Sequence, residues 1–101
     1  MSKPLTKAEI ELALELGAGL TGWIHRADAL EKTYRFPSFK DAMGFMVRAG
    51  FEAEALNHHP EWSNVYNRVS VRLTTHDAGN KVTAKDLELA HRMEAAAGPG
   101  A

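Results

Sequence analysis

The stretch from Val65 to Thr75 alternates between apolar and polar side chains. One parity is apolar, at Val65, Val69, Val71 and Leu73. A period of two is typical of a strand with one buried face in an antiparallel sheet. The whole run from Trp62 to His76 is long against an average strand of ~5–6 residues. We therefore expect a break near Asn67 that divides it into two strands.

A sheet with one apolar face needs helices to cover it, and three segments have helical patterns. The first, about Lys7 to Leu16, follows a capping-box spacing from Thr6 and stops at Gly17 and Gly19. The second opens at Ser38 and runs to about Leu56, because Pro60 cannot continue a helix. The third is capped by Thr83 and Asp86 and turns three apolar side chains inward, Leu87, Ala90 and Met93.

The second helix is the longest and carries one apolar stripe. Its members are Phe39, Ala42, Met43, Met46, Gly50 and Ala53, with Phe45, Val47 and Ala49 widening it. We interpret the Met and Phe side chains of this stripe as core packing. A glycine inside a helix costs ~1 kcal/mol relative to alanine, so we expect Gly50 to mark close packing.

Two further short strands are predicted before the second helix, at Gly22 to Arg26 and Leu30 to Phe36, with Ala27 to Ala29 as the turn. The predicted order is therefore α-β-β-α-β-β-α. This order predicts an α+β fold, a two-layer sandwich with three helices on one face of a four-stranded antiparallel sheet. We expect one domain over residues 1–101, with an ordered core at about residues 5–96.

Composition excludes several classes of protein. The chain has 101 residues and no cysteine, so it has no thiol nucleophile, disulfide or cysteine zinc site. Its formal net charge is −1 without a basic stripe, so no nucleic-acid partner is expected. No apolar run approaches the ~20 residues that span a bilayer, and no apolar segment follows the N-terminal Met1 to Pro4. We expect a cytoplasmic protein with no membrane partner.

The histidines are the side chains that suggest a function. His58 and His59 are adjacent, follow the second helix and precede Pro60, and His76 lies beyond the last strand. Imidazole exchanges protons near neutral pH, so these three are candidates for general acid–base catalysis. His25 and His91 are interpreted as ordinary solvated histidines.

Metal binding is the competing interpretation of the histidine pair. Adjacent side chains rarely converge on one ion, and helical zinc sites use i, i+4 spacing. We therefore expect no metal. Glu54 lies four residues before His58, so on a continuing helix the two would share a face. Spacing leaves two roles open for Glu54, a partner of the His58 imidazole or a solvated helix charge.

These residues closely resemble the signature of the pterin-4a-carbinolamine dehydratase family. The matching run is Glu54-x-x-x-His58-His59-Pro60-x5-Tyr66-x9-His76-x9-Asp86. The resemblance extends to Gly22-Trp23, Phe36-x-x-Phe39, Ala42-x-x-Phe45 and Leu73-x-Thr75-His76, and covers about Leu5 to Ala96.

The resemblance implies an enzyme that dehydrates 4a-hydroxytetrahydropterin to quinonoid dihydropterin without a metal and without a cofactor, since the pterin is the substrate. It implies a homodimer or homotetramer linked in function to an aromatic amino acid hydroxylase. By motif match the catalytic residues would be His58, His59 and His76. The pterin pocket would be lined by Pro60, Thr75, Asp77 and Ala78, with Glu54, Trp23 and Asp86 near it. Some members have aspartate directly before the histidine pair, where this chain has Asn57.

A second function is implied by the same resemblance. Animal members of the family also act as dimerisation partners of a homeodomain transcription factor. That alternative, a binding protein or transcriptional coactivator, would use helix surfaces and not the histidines.

Overall fold

The computed structural model describes residues 3–16 and 19–99. Its helices are α1 (Lys7–Leu16), α2 (Phe39–Leu56) and α3 (Ala84–Ala97). Its strands are β1 (Ile24–Arg26), β2 (Ala29–Arg35), β3 (Glu61–Val65) and β4 (Arg68–Leu73). The predicted element order and the α+β class are confirmed, with one open four-stranded antiparallel sheet. The predicted bounds of α1 are confirmed, although Gly17, part of its predicted stop, lies outside the described residues.

The strands lie in the order β1-β2-β4-β3, so the two hairpins are joined through β2 and β4. The expected break near Asn67 is confirmed, because β3 ends at Val65 and β4 begins at Arg68. The first hairpin is tighter than predicted. Ala29 pairs with Arg26, and the turn consists only of Ala27 and Asp28, both with positive φ as in a type I′ turn.

The apolar face of the sheet is buried under the helices. Leu30 and Tyr34 of β2 and Val69, Val71 and Leu73 of β4 are all buried. The prediction that Val65 shares this face was wrong, because Val65 is exposed. It pairs with Arg68 across a two-residue turn, and paired residues point to the same side of a sheet. The alternation therefore changes phase at the turn.

Helix α2 begins at its predicted cap, where the Ser38 hydroxyl accepts a hydrogen bond from Asp41 N at 3.1 Å. The predicted inward stripe was wrong in part. The buried face consists of Ala42, Phe45, Ala49 and Ala53, whereas Phe39, Met43, Val47 and Phe51 are exposed. Gly50 does not mark close packing within this chain, because a Cβ built on it would meet no atom within 4 Å.

Helix α3 has the predicted cap in the form of a capping box between Thr83 and Asp86. Its buried residues are Asp86, Leu89, Ala90 and Met93, and Leu87 is partly buried against the core. Near its other end, the Glu94 carboxylate accepts hydrogen bonds from Trp23 Nε1 at 3.0 Å, Lys32 Nζ at 2.7 Å and the Tyr34 hydroxyl. This carboxylate ties α3 to β2 and to the segment before β1. Within the described ranges, no helix is long and apolar enough to cross a membrane.

Candidate active site

A buried histidine–carboxylate pair lies between the end of α2 and the start of α3. His58 Nε2 is 2.5 Å from Asp86 Oδ1, and the side chains of both are buried. An ionised carboxylate can only accept, so Nε2 of His58 carries the proton in this hydrogen bond. The two residues are 28 positions apart, and their contact joins two elements that the sequence keeps separate.

Asp86 is the centre of a larger buried network. Its Oδ2 accepts hydrogen bonds from Thr75 Oγ1 at 2.8 Å and from Thr83 N at 2.9 Å. Because the Thr75 hydroxyl proton is used on Asp86, the Thr83 hydroxyl donates to Thr75 Oγ1 across 2.6 Å. Among the described residues, no buried side-chain polar atom lacks a partner. The network is fully satisfied, as a buried polar cluster must be to favour folding.

The pairing of His58 follows from the way α2 ends. Asn57 takes the left-handed conformation with φ of 50°, and the His58 N–H donates to Ala53 O at 3.0 Å. The chain turns away from the helix axis at this point, so His58 points into the interior. The interpretation that Glu54 and His58 share a helix face was therefore wrong.

Glu54 instead pairs with His59. Their Oε1 and Nε2 atoms are 2.8 Å apart, and both side chains are exposed, His59 at 58% and Glu54 at 77%. A carboxylate beside an imidazole selects the tautomer that donates from Nε2 and provides a counter-charge when the ring is protonated. His59 can therefore present Nδ1 to a ligand while Glu54 holds its other nitrogen.

His76 opens a short 3₁₀ helix, His76–Ala78, just after β4. Its side chain is exposed, and Nδ1 lies 3.3 Å from Asn80 Oδ1. Since an amide oxygen accepts, Nδ1 donates in this hydrogen bond, and in the neutral imidazole Nε2 keeps its lone pair. His76 follows directly after Thr75, which is fixed by Asp86.

The other predicted site residues are divided between two regions. Pro60 follows His59, and Asp77 and Ala78 lie in the 3₁₀ helix with His76, while Thr75 belongs to the buried network. Trp23 does not join them. It is buried against Glu94, and eight residues of helix, about 12 Å, separate Glu94 from Asp86.

Two residues of the site were not predicted. Thr83 was recognised only as a helix cap, although its hydroxyl also completes the Asp86 network. Asn80 was not singled out in the sequence, and its side chain orients His76. An amide four residues after a histidine is a weak local signal. The hydrogen bond between Thr83 and Thr75 has no signal in the sequence, since the two residues become neighbours only in the folded chain.

The arrangement provides proton donors and acceptors, not a set of metal ligands. Within the described part of the chain, no three His, Asp or Glu side chains come together as a metal site. A hollow of about 570 Å³ lies on the open face of the sheet, but none of the three histidines lines it. The charged side chains there already pair with one another, as Glu31 does with Arg26 and Arg72. The candidate site therefore lies at the histidines and not in this hollow.

Comparison with known proteins identifies relatives over almost the whole chain. A family model described as pterin 4 alpha carbinolamine dehydratase matches residues 3–96. A protein of Opitutus terrae, named "Putative pterin-4-alpha-carbinolamine dehydratase", is 69% identical over 90 residues, which are 89% of this chain and 90% of the relative. A protein of Rhizobium rhizogenes with the same name is 56% identical over 82% of this chain and 83% of its own length.

A solved structure shows the same fold. It is a crystal structure named "transcriptional coactivator/pterin dehydratase from Brucella Melitensis", and it superposes with a TM-score of 0.87 at 43% identity. The match covers 95% of this chain and 100% of the other. The similarity therefore extends to the complete sheet and all three helices.

Proposed function

The chain belongs to the pterin 4 alpha carbinolamine dehydratase family, and from this we propose that it removes water from a 4a-hydroxytetrahydropterin. The product would be the quinonoid dihydropterin. The enzyme would act as a lyase in the recycling of tetrahydrobiopterin, after an aromatic amino acid hydroxylase has formed the 4a-hydroxy compound.

The observation that carries the proposal is the shared anchor of the two histidine segments. Asp86 binds His58, which precedes His59, and it binds Thr75, which precedes His76. One buried carboxylate thus fixes the residues next to both exposed histidines. Catalytic groups are effective when their neighbours hold them rigidly, because no entropy is then spent on orienting them in each turnover.

The two exposed histidines fit two different steps of the dehydration. The C4a–O bond must break with a proton delivered to the departing hydroxyl, which leaves as water. A proton must also leave the ring nitrogen, whose electrons then form the C=N bond. His59, with Glu54 as counter-charge, suits the acid, and His76, whose neutral ring would accept a proton at Nε2, suits the base.

His58 has a supporting part in this proposal. Its ring is buried and one nitrogen is taken by Asp86, so it positions His59. Pro60, Asp77 and Ala78 lie next to the two exposed histidines and are the proposed pterin contacts. The mechanism uses no cofactor and no metal, since the imidazoles carry both protons.

The test is turnover of freshly generated 4a-hydroxytetrahydropterin, followed by absorbance. A positioned acid or base is worth about 10²–10⁴ in rate, so His59→Ala and His76→Ala should each lose a factor in that range. His91→Ala, an exposed histidine on α3, is the control and should keep the wild-type rate. If both site variants turn over like the control, the histidines do not perform the chemistry.

A second candidate function is favoured by the exposed face of α2. Four large apolar side chains lie there at every fourth position, Phe39, Met43, Val47 and Phe51. Such a row is a typical docking ridge for another helix. This ridge suits a dimerisation partner or coactivator, and the name of the Brucella structure includes the term transcriptional coactivator. The ridge equally suits assembly of a homodimer into a homotetramer.

Val47→Glu separates the two functions. A charge in the middle of the ridge should abolish any association through α2, and light scattering would show it as a smaller particle. The histidines lie outside this face, so dehydratase activity per chain should persist. Loss of both properties would mean that the chemistry depends on the assembly.

A further inference from the structure

The His76 ring differs from the other two site histidines in the partner that holds it. His58 and His59 are each bonded at Nε2, and the partner of each is a carboxylate. His76 is bonded at Nδ1, and its partner is the neutral amide of Asn80, whose Oδ1 lies at 3.3 Å. Within residues 3–16 and 19–99, no other side chain hydrogen-bonds to the His76 ring. An amide oxygen can fix the position of one ring proton without adding a counter-charge that favours the imidazolium.

The amide reaches His76 because the chain turns back on itself directly after the 3₁₀ helix. Gly79 and Asn80 both take the left-handed conformation, with φ of 74° and 59°. Asparagine adopts this region more readily than most residues, so the turn is compatible with a side chain at position 80. The Gly79 N–H donates to His76 O at 3.2 Å, and the Asn80 N–H donates to Thr75 O at 3.1 Å. The backbone of the turn is therefore fixed against Thr75 and His76.

The loop is closed at Thr75, which is itself anchored in the interior. The Thr75 N–H donates to Lys81 O at 2.9 Å, and its hydroxyl donates to the buried Asp86 carboxylate. Thr75 is buried, whereas the side chains of His76 and Asn80 are exposed. Because the backbone on both sides of this pair is bonded to one buried residue, the two side chains keep their relative positions. Their hydrogen bond can therefore persist at the surface, where water competes for both groups.

The position of this hydrogen bond decides which nitrogen of the neutral His76 ring is basic. In a free neutral histidine the proton lies mainly on Nε2. In a protein, the hydrogen bond that one ring nitrogen makes selects the tautomer. An acceptor at Nδ1 selects the tautomer that free histidine populates less, and it leaves the Nε2 lone pair on the other side of the ring from Asn80.

We propose that Asn80 is a positioning residue for the dehydration, a role that rests on the function proposed above. Its amide oxygen holds the proton of the neutral His76 ring on Nδ1, so that Nε2 accepts the proton of the pterin ring nitrogen. The electrons of that N–H bond form the C=N bond, and the C4a–O bond breaks as the hydroxyl leaves with a proton from His59. Asn80 neither gains nor loses a proton and needs no contact with the pterin.

Two substitutions at position 80 separate the amide from the backbone that carries it. Asn80→Gly keeps the left-handed backbone, which glycine adopts without strain, and removes the acceptor. Its kcat should fall about threefold to tenfold, the effect of one neutral hydrogen bond on an equilibrium, while KM stays unchanged. The carboxylate of Asn80→Asp also accepts from Nδ1, so this variant should restore most of kcat. The assay is run at about pH 8.5, where an imidazole with the usual pKa of ~6.5 is neutral.

Nitrogen NMR of the imidazole ring tests the tautomer without an activity assay. A protonated and an unprotonated ring nitrogen resonate far apart, and the His76→Ala variant assigns the signals. The wild type and Asn80→Asp should carry the proton on Nδ1, and Asn80→Gly should carry it mainly on Nε2. Lys81→Gln removes an exposed ion pair with Asp28 from the same loop, so it is the control and should keep the wild-type tautomer.

The two measurements fail in different ways. A wild-type ring with its proton on Nε2 would mean that the amide donates to His76, and it would overturn the proposal. A kcat of Asn80→Gly equal to that of the wild type would overturn it too, as would a rise in KM alone, which would make Asn80 a substrate contact. Failure of the wild type to turn over 4a-hydroxytetrahydropterin would instead refute the dehydratase, and the spectra would still decide whether Asn80 sets the tautomer.

Discussion

Asp86 Oδ1 lies 2.5 Å from His58 Nε2 in the protein interior, while the other oxygen of Asp86 holds Thr75 and the backbone of Thr83. This one carboxylate therefore connects the segment after α2, the segment after β4 and the first turn of α3. The exposed histidines are neighbours of residues in this network, so its integrity should affect both stability and chemistry.

Asp86→Asn should reduce the free energy of unfolding by about 1–3 kcal/mol, since one accepting oxygen becomes a donor facing other donors in a buried site. Urea unfolding followed by fluorescence measures this loss, and turnover at a temperature where the variant is folded measures the effect on the site. Asp28→Asn, an exposed aspartate in the turn between β1 and β2, is the matched control. Equal stability of the two variants would contradict the role given to Asp86.

Glu54→Gln should separate function from stability. The Glu54–His59 pair is exposed, and exposed ion pairs contribute about 0–1 kcal/mol, so the unfolding free energy should hardly change. The rate should nevertheless fall, about threefold to a hundredfold, because the imidazole loses its counter-charge during proton transfer. Glu52→Gln removes another ion pair of α2, the half-buried pair with Arg92, and should leave the rate unchanged. Similar rates for both variants would argue against His59 as the acid.

Activity should not depend on a metal ion. The side chains of the site carry the two protons of the proposed reaction, and no additional Lewis acid is needed. Elemental analysis of the purified protein, together with turnover before and after treatment with a chelator, checks this. Activity that disappears with the chelator and returns with zinc or iron would refute the proposed mechanism.

The fold was predictable because its signals are local and periodic. The alternation before Leu73, the cap at Ser38 and the capping box at Thr83 each involve neighbours in sequence, and all three are present. Errors arose where one residue changed the phase of a pattern. The turn after Val65 reversed the strand parity, and the apolar residues of α2 were too many to decide which stripe is buried.

The sequence singled out the histidines of the candidate site but not the contacts they make. The pairing of Glu54 with His59 depends on the left-handed backbone of Asn57, which ends α2 one residue before His58. Helical spacing therefore assigned Glu54 to the wrong histidine. The contact of His58 with Asp86 spans 28 residues, and no periodicity relates them. Only the packing of α3 against α2 brings them together.

Alkaline pH should destabilise the protein through Tyr34. Burial, together with the hydrogen bond and charge of Glu94, raises the pKa of the Tyr34 hydroxyl far above its usual value of about 10. Above pH 10 the unfolded chain therefore loses this proton while the folded chain keeps it. The unfolded state then binds fewer protons, so stability is intact below about pH 10 and falls at up to about 1.4 kcal/mol per pH unit above it.

Tyr34→Phe removes the titrating group, so the unfolding free energy of this variant should depend less on pH above about pH 10. Urea unfolding of the wild type and the variant between pH 8 and about pH 11 measures the two slopes. Tyr66→Phe is the control, because Tyr66 is exposed. The unfolding free energy of this variant should fall with pH as steeply as that of the wild type. A wild-type slope that persists unchanged in Tyr34→Phe would mean that another group, and not the Tyr34–Glu94 hydrogen bond, controls alkaline unfolding.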